Sequence, residues 1–271
     1  MSEAVDQNRA RLETLPPSAV TETLMSLGWR KGDIAFVHSD AMIVAHFPPM
    51  PKEQRLDALI AAMEAALGSE GTLVMPTFTY SFTKGECFDV LSTPSKVGML
   101  TERFRTRAGV CRSADPIFSI AAKGPRAEEL CALPVKECFG AESVFAALHR
   151  MNAHLTCVGC SLNQGGTFVH YVERAHGVNY RYDKTFPGNV IMPDGKSSTR
   201  SVVYYVRDLT RKSGYNLRRL QARLEAEGKL RRILVGRAPI VDLFADDFFT
   251  VAWKMLDEDP VALIEEGAQP R

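Results

Sequence analysis

Between residues 157 and 176 the chain gathers Cys157, Cys160, Thr167, His170, Glu173 and His176 in the stretch CVGCSLNQGGTFVHYVERAH. Three chemistries share that set. Two cysteines with two residues between them, followed by two histidines, match the halves of a zinc knuckle. The same Cys-x-x-Cys is the spacing of a redox dithiol, provided it opens a helix. Thr167, His170 and Glu173, three residues apart, would share one side of a helix as an acid–base set.

The first two readings are the weaker. The Cys and His pairs lie too close together for a structural zinc site, and Cys157 falls in an apolar run whose side chains belong in a core. A Gly-rich turn follows Cys160 where a thioredoxin-type dithiol needs its helix. Both cysteines therefore read as small buried hydrophobes, with no metal expected, and a zinc or thiol module at Cys157/Cys160 is kept as the alternative of another class. The third reading requires a helix that starts after Gly165-Gly166 with Thr167 as its N-cap. His170 in its first turn would meet the positive end of the helix dipole, which favours the neutral ring that can take a proton. By spacing alone, a surface histidine with an incidental acid is an equal reading.

Phosphate chemistry has thinner support. Neither GxGxxG nor GxxxxGK[ST] is present, so dinucleotide folds and P-loops lack their fingerprints. Ser39 after a strand candidate, and Arg112-Ser113, are residues whose hydroxyl and guanidinium groups suit phosphates.

These residues need elements to hold them. The 271 residues suffice for one large α/β domain, read here as a single unit over 1–271. Residues 33–39, 71–76, 119–124 and 154–159 read as strands; 52–67, 95–107, 142–150 and 215–228 read as helices. SVVYYVR (201–207) alternates like a two-faced antiparallel strand. KLRRILVGRAPI then reads as a strand, and VDLFADDFFTVAWKML as a last helix. The alternation predicts a three-layer α/β/α fold with a mainly parallel central sheet and a C-terminal antiparallel portion. In such sheets ligands gather beyond the carboxyl ends of the strands, which points to His38-Ser39-Asp40, to Thr77-Phe78-Thr79 and to residues 160–167.

With 33 basic and 32 acidic residues, the net charge of +1 sets up no global field for nucleic acid or acidic membranes. No apolar run approaches the roughly 20 residues of a membrane helix. The first residues, MSEAVDQNRARLETL, lack the apolar centre of a secretory signal. A cytoplasmic enzyme with reduced thiols is the expectation; whether it assembles as a homo-oligomer is left open.

The pieces VHSDAM, GTLVMPTFTYSF, FDVLSTPSKVGMLTERFR, RSADPIFSIAAKGP and GTFVHYVE occur in that order. Together they resemble the aminoglycoside 3-N-acetyltransferase family, across residues 15–265. The resemblance implies transfer of an acyl group from acetyl-CoA, or another acyl-CoA, to an amine. It implies His38, Ser39, Arg112, Ser113 and Ser119 at the cofactor, with His170 as general base and Glu173 as its acid. No covalent intermediate and no metal is implied.

Departures from the family bear on the acceptor. Asp115 stands where a His is common, and Asn163 where drug-modifying members often carry Asp, in a loop read as one residue longer. A polycationic drug calls for carboxylates, whereas NYRYDK supplies Arg181 and Lys184. The expected acceptor is therefore an anionic, nucleotide-linked amino sugar, with Asp89, Thr79 and Tyr80 assisting proton transfer or holding the sugar. The alternative is a resistance enzyme that acetylates the 3-amino group of aminoglycosides.

Overall fold

The computed structural model describes residues 14–265; residues 1–13 and 266–271, with the N-terminal stretch read above, lie outside it. The strands are β1 (Ile34–Ser39), β2 (Thr72–Pro76), β3 (Phe88–Asp89), β4 (Cys111–Arg112), β5 (Ile120–Lys123), β6 (His154–Val158), β7 (Arg181–Ile191), β8 (Ser197–Arg207), β9 (Arg231–Val235) and β10 (Ala238–Phe244). The helices are α1 (Ser18–Ser26), α2 (Lys52–Leu67), α3 (Met99–Arg105), α4 (Ala127–Cys131), α5 (Val144–Arg150), α6 (Leu162–Gly165), α7 (Val169–His176), α8 (Arg218–Ala226) and α9 (Ala245–Glu258).

Seven strands form one sheet in the order β4-β5-β2-β1-β6-β10-β9. Its centre, β2-β1-β6, is parallel, and antiparallel pairs flank it on both sides. Because alternate side chains leave a strand on opposite faces, each central strand feeds two apolar layers. Ala35 and Val37 join a core with α1, α2 and α3, while Phe36 joins one with α5, α7, α8 and α9. This is the three-layer α/β/α arrangement. A second sheet, β3-β7-β8, carries the predicted antiparallel portion, with β7 and β8 in register from Arg181↔Arg207 to Ile191↔Ser197.

Helix α2 spans the predicted range, and Leu56, Leu59, Ile60, Met63 and Leu67 are its buried face. The helix expected over 95–107 is shorter. Gly98, at φ 137, bends the chain in, so α3 starts only at Met99, and the Glu102 carboxylate accepts the Ser95 N–H of the preceding loop. The segment 229–244 is a hairpin of β9 and β10 turning at Gly236, and Val241–Phe244 extends the sheet beside β6 rather than opening the last helix.

Candidate active site

The carboxyl ends of β1 and β2 and the turn after β6 open onto a cleft of about 460 Å³. His38, Ser39 and Asp40 form one wall, Pro76, Phe78 and Tyr80 a second, and Val97, Gly98 and Met99 a third. Cys160, Gln164, Thr167 and Tyr215 close it. Tyr80 holds its place with backbone in the left-handed region at φ 57, a conformation costly for a residue with a Cβ. Ser161 and Gln164 form a capping box that starts α6 beside the cleft. Gly165 lets that helix approach β1 and β6. A Cβ there would lie 2.6 Å from Cys157 Sγ and 2.8 Å from His38 Cβ.

Helix α7 carries the proposed base. It starts at Val169, and its cap, Phe168, offers no side-chain hydrogen bond, so the expectation of Thr167 as N-cap is corrected. The Thr167 hydroxyl is instead 3.2 Å from His38 Nε2. His170 and Glu173 do share one side of α7: His170 Nδ1 lies 2.8 Å from Glu173 Oε2. A carboxylate only accepts, so Nδ1 carries the proton and Nε2 keeps the lone pair. The other oxygen, Oε1, accepts the Tyr180 hydroxyl at 3.0 Å. Arg181 Nε sits 2.6 Å from Oε2 as an ion-pair contact, without the alignment of a hydrogen bond, and its Nη1 donates to the Tyr205 carbonyl.

Burial makes these contacts strong. The side chains of Glu173 and Arg181 are fully enclosed, and that of His170 is 10% exposed. Burial pushes the Glu173 carboxyl up, but the Arg181 charge and the bonds from His170 and Tyr180 outweigh it and hold it low. Burial first and Arg181 second push His170 down, against the pull of Glu173. The result is a neutral imidazole backed by a carboxylate. The His170 ring packs edge-on to Phe139 and to Tyr215, which lines the cleft. His38, in the cleft wall itself, is pushed down to about 4 by burial, and its ring meets the Thr167 hydroxyl where His170 has a carboxylate.

Of the other expected site residues, some line the cleft and some do not. Ser39 and Tyr80 line the cleft, but Thr79 faces inward, where its hydroxyl donates to the Pro116 carbonyl. The Asp89 carboxylate accepts the N–H groups of Leu91 and Ser92 in a turn and is not part of the cleft wall. Arg112 is a structural clamp: its guanidinium donates to the carbonyls of Val90, Thr93 and Thr77 and to the Thr77 and Ser119 hydroxyls. Ser113 accepts the Ile120 N–H, and Ser119 donates to the Thr77 carbonyl. This trio joins strand ends; the guanidinium and hydroxyls expected at a phosphate are spent on the protein. Asn163 accepts the Leu217 N–H and so docks α6 against the start of α8. Lys184 is exposed and lies over the Phe186 ring. Asp115 is buried and accepts two backbone N–H groups.

Three residues were missed in the sequence. Tyr215 and Tyr180 carried no motif, and Asp40 was noted only as part of a strand end; it is the one carboxylate among the cleft residues. Cys157 packs in the core as expected. Among the described residues, no group of three or more His, Cys, Asp or Glu could hold a metal ion, and no helix is long and apolar enough to cross a membrane.

Aminoglycoside N(3)-acetyltransferase IV of a Salmonella species is 33% identical over 177 residues, 64% of this chain and 63% of the relative, so the match spans a little under two thirds of that protein. The crystal structure of a mutant of aminoglycoside acetyltransferase AAC(3)-IVa in complex with a gentamicin is 26% identical, with 94% of both chains covered and a TM-score of 0.73. AAC-IIIb in a binary complex with CoASH has the same fold, at 22% identity, 90% of this chain and 97% of that one, and a TM-score of 0.76. These relatives are aminoglycoside enzymes, and neither Arg181 nor Lys184 lines the cleft. The expectation of a nucleotide-linked acceptor finds no support in either. The family model described as aminoglycoside 3-N-acetyltransferase matches residues 36–257, and the chain belongs to that family.

Proposed function

We propose that this chain is an acetyl-CoA-dependent N-acetyltransferase that acylates an amine of an aminoglycoside, the 3-amino group by family, with His170 as general base. The observation that carries the reading is the buried His170–Glu173 pair, braced by Arg181 and Tyr180, one aromatic ring from a cleft at the strand ends.

An aminoglycoside amine arrives as an ammonium, which has no lone pair until a base removes a proton. Asp40 gives the cleft wall a negative charge to receive that cation. Proton transfer to His170 Nε2 leaves an imidazolium that Glu173 stabilises through Nδ1–H, and the freed amine attacks the thioester carbonyl. The oxygen gains charge, which the Ser39 hydroxyl and the Gln164 amide on the cleft wall are suited to meet. Collapse expels the CoA thiolate; of the two protons the nitrogen sheds, one ends on the CoA thiol and the other passes from His170 to solvent. Neither Cys157, packed in the core, nor Cys160 has a covalent part in this sequence.

Thiol release from acetyl-CoA, measured against a panel of aminoglycosides and a panel of nucleotide-linked amino sugars, tests the reading. Turnover with the first panel is expected. Turnover confined to the second would overturn the acceptor, and binding of acetyl-CoA without turnover on either would overturn the chemistry.

A further inference from the structure

Away from the cleft, two cysteines on different elements meet. Cys111 opens the edge strand β4, and Cys131 ends α4, which packs across β4 and β5. Their Sγ atoms are 2.8 Å apart, closer than two unbonded sulfurs rest and within an ångström of the roughly 2.05 Å disulfide bond. Both side chains are partly exposed, whereas Cys138, Cys157 and Cys160 are buried and Cys87 stands alone on the surface. The two thiols also differ. The contact with Cys131 holds the Cys111 thiol below its ordinary value, against burial and the nearby Glu128 charge; Cys131 is pushed up by that same contact and by burial. Cys111 is thus the sulfur that ionises first and attacks.

We propose that Cys111 and Cys131 form a thiol–disulfide modification site, closed by a small-molecule disulfide such as oxidised glutathione. The Cys111 thiolate attacks one sulfur of the oxidant and expels a thiolate, which leaves a mixed disulfide on Cys111. Cys131 then loses its proton to solvent and attacks the Cys111 sulfur, expelling the second thiolate. Two protein thiols are oxidised, the oxidant is reduced to two thiols, and nothing else is consumed.

The bond ties α4 to the strand that carries the Arg112 clamp. Arg112, the next residue, holds the carbonyls of Thr77, Val90 and Thr93. Closing the loop between 111 and 131 also removes freedom from the unfolded chain, so the oxidised form should melt at a higher temperature than the reduced one.

The test uses the full chain, incubated with oxidised glutathione, alkylated, digested without reductant and analysed by mass spectrometry. The expected product is a Cys111–Cys131 cross-linked peptide pair, a whole-protein mass lower by two hydrogens, and a melting temperature that falls back on reduction. Cys131→Ser is expected to stop at one glutathione adduct on Cys111, with no rise in melting temperature. Cys111→Ser, a second variant should the first fail to fold, is expected to give neither the link nor an adduct at Cys131. Full alkylation of both residues, an adduct on Cys87 alone, or a Cys157–Cys160 link in place of this one would overturn the proposal.

Discussion

Replacing Arg181 by Gln separates two roles for one cation. Arg181 is fully enclosed and 2.6 Å from Glu173, so the variant leaves a buried carboxylate without its countercharge. Breaking a buried pair by removing one partner costs about 3–5 kcal/mol. At roughly 2–4 °C per kcal/mol for a chain of this size, the melting temperature should fall by on the order of 10 °C. The kinetic signature is sharper. After burial, the Arg181 charge is the largest influence that lowers His170, and it is the largest that lowers Glu173. Removing it lets the coupled pair take up its first proton at higher pH. The base must be neutral to act, so the acid limb of kcat/KM should move to higher pH. The assay is thiol release against pH, well below the lowered melting temperature, with KM for the acceptor measured alongside. An unmoved acid limb together with a raised acceptor KM would refute the assignment of Arg181 to the dyad and return it to substrate binding.

Asp115→Asn should stabilise the fold in a pH-dependent way. The folded carboxyl is pushed up from 3.8 to about 6 by burial, against two backbone N–H bonds. The folded state thus binds the extra proton, and stability is lost as pH rises from 3.8 to 6. Asn keeps an acceptor oxygen and removes the charge, so denaturant titration should show a gain on the order of 1–3 kcal/mol at about pH 8 and little at about pH 3.5; equal gains at both would contradict this. Asp242→Ala strikes a fully buried carboxylate that accepts from Trp29, His154, Thr156 and Arg231. Thermal unfolding should report a loss of about 3–5 kcal/mol, and a loss below about 1 kcal/mol would show that the network is solvated.

What the sequence revealed followed from local pattern. β1, β2 and β6 are short buried apolar runs, and α2 carries an apolar face at helical spacing, so each announced itself. β7 did not: Pro187 and Gly188 interrupt it, most of its residues are exposed or half-exposed, and its pairing with β8 is what makes it a strand. Val241–Phe244 is as apolar as the helix after it, and only its bonds to β6 and β9 decide the matter. In the site, the spacing of His170 and Glu173 left a surface histidine equally open, and the family resemblance singled out the pair. Arg181 reads in the sequence as a cation for the acceptor because burial is a tertiary property; its place against Glu173 removes that support for an anionic acceptor. Asp89 and Arg112 illustrate the same limit, since a carboxylate or guanidinium spent on backbone groups is indistinguishable in sequence from one aimed at a ligand.

The assignment of His170 as the base is tested most directly by turnover of His170→Ala beside His38→Ala, with the affinity of each for acetyl-CoA. His170→Ala should bind acetyl-CoA as the parent does while kcat falls by roughly 10²–10⁴, the usual worth of a positioned base. Parental turnover in His170→Ala, with the loss appearing instead in His38→Ala, would contradict it.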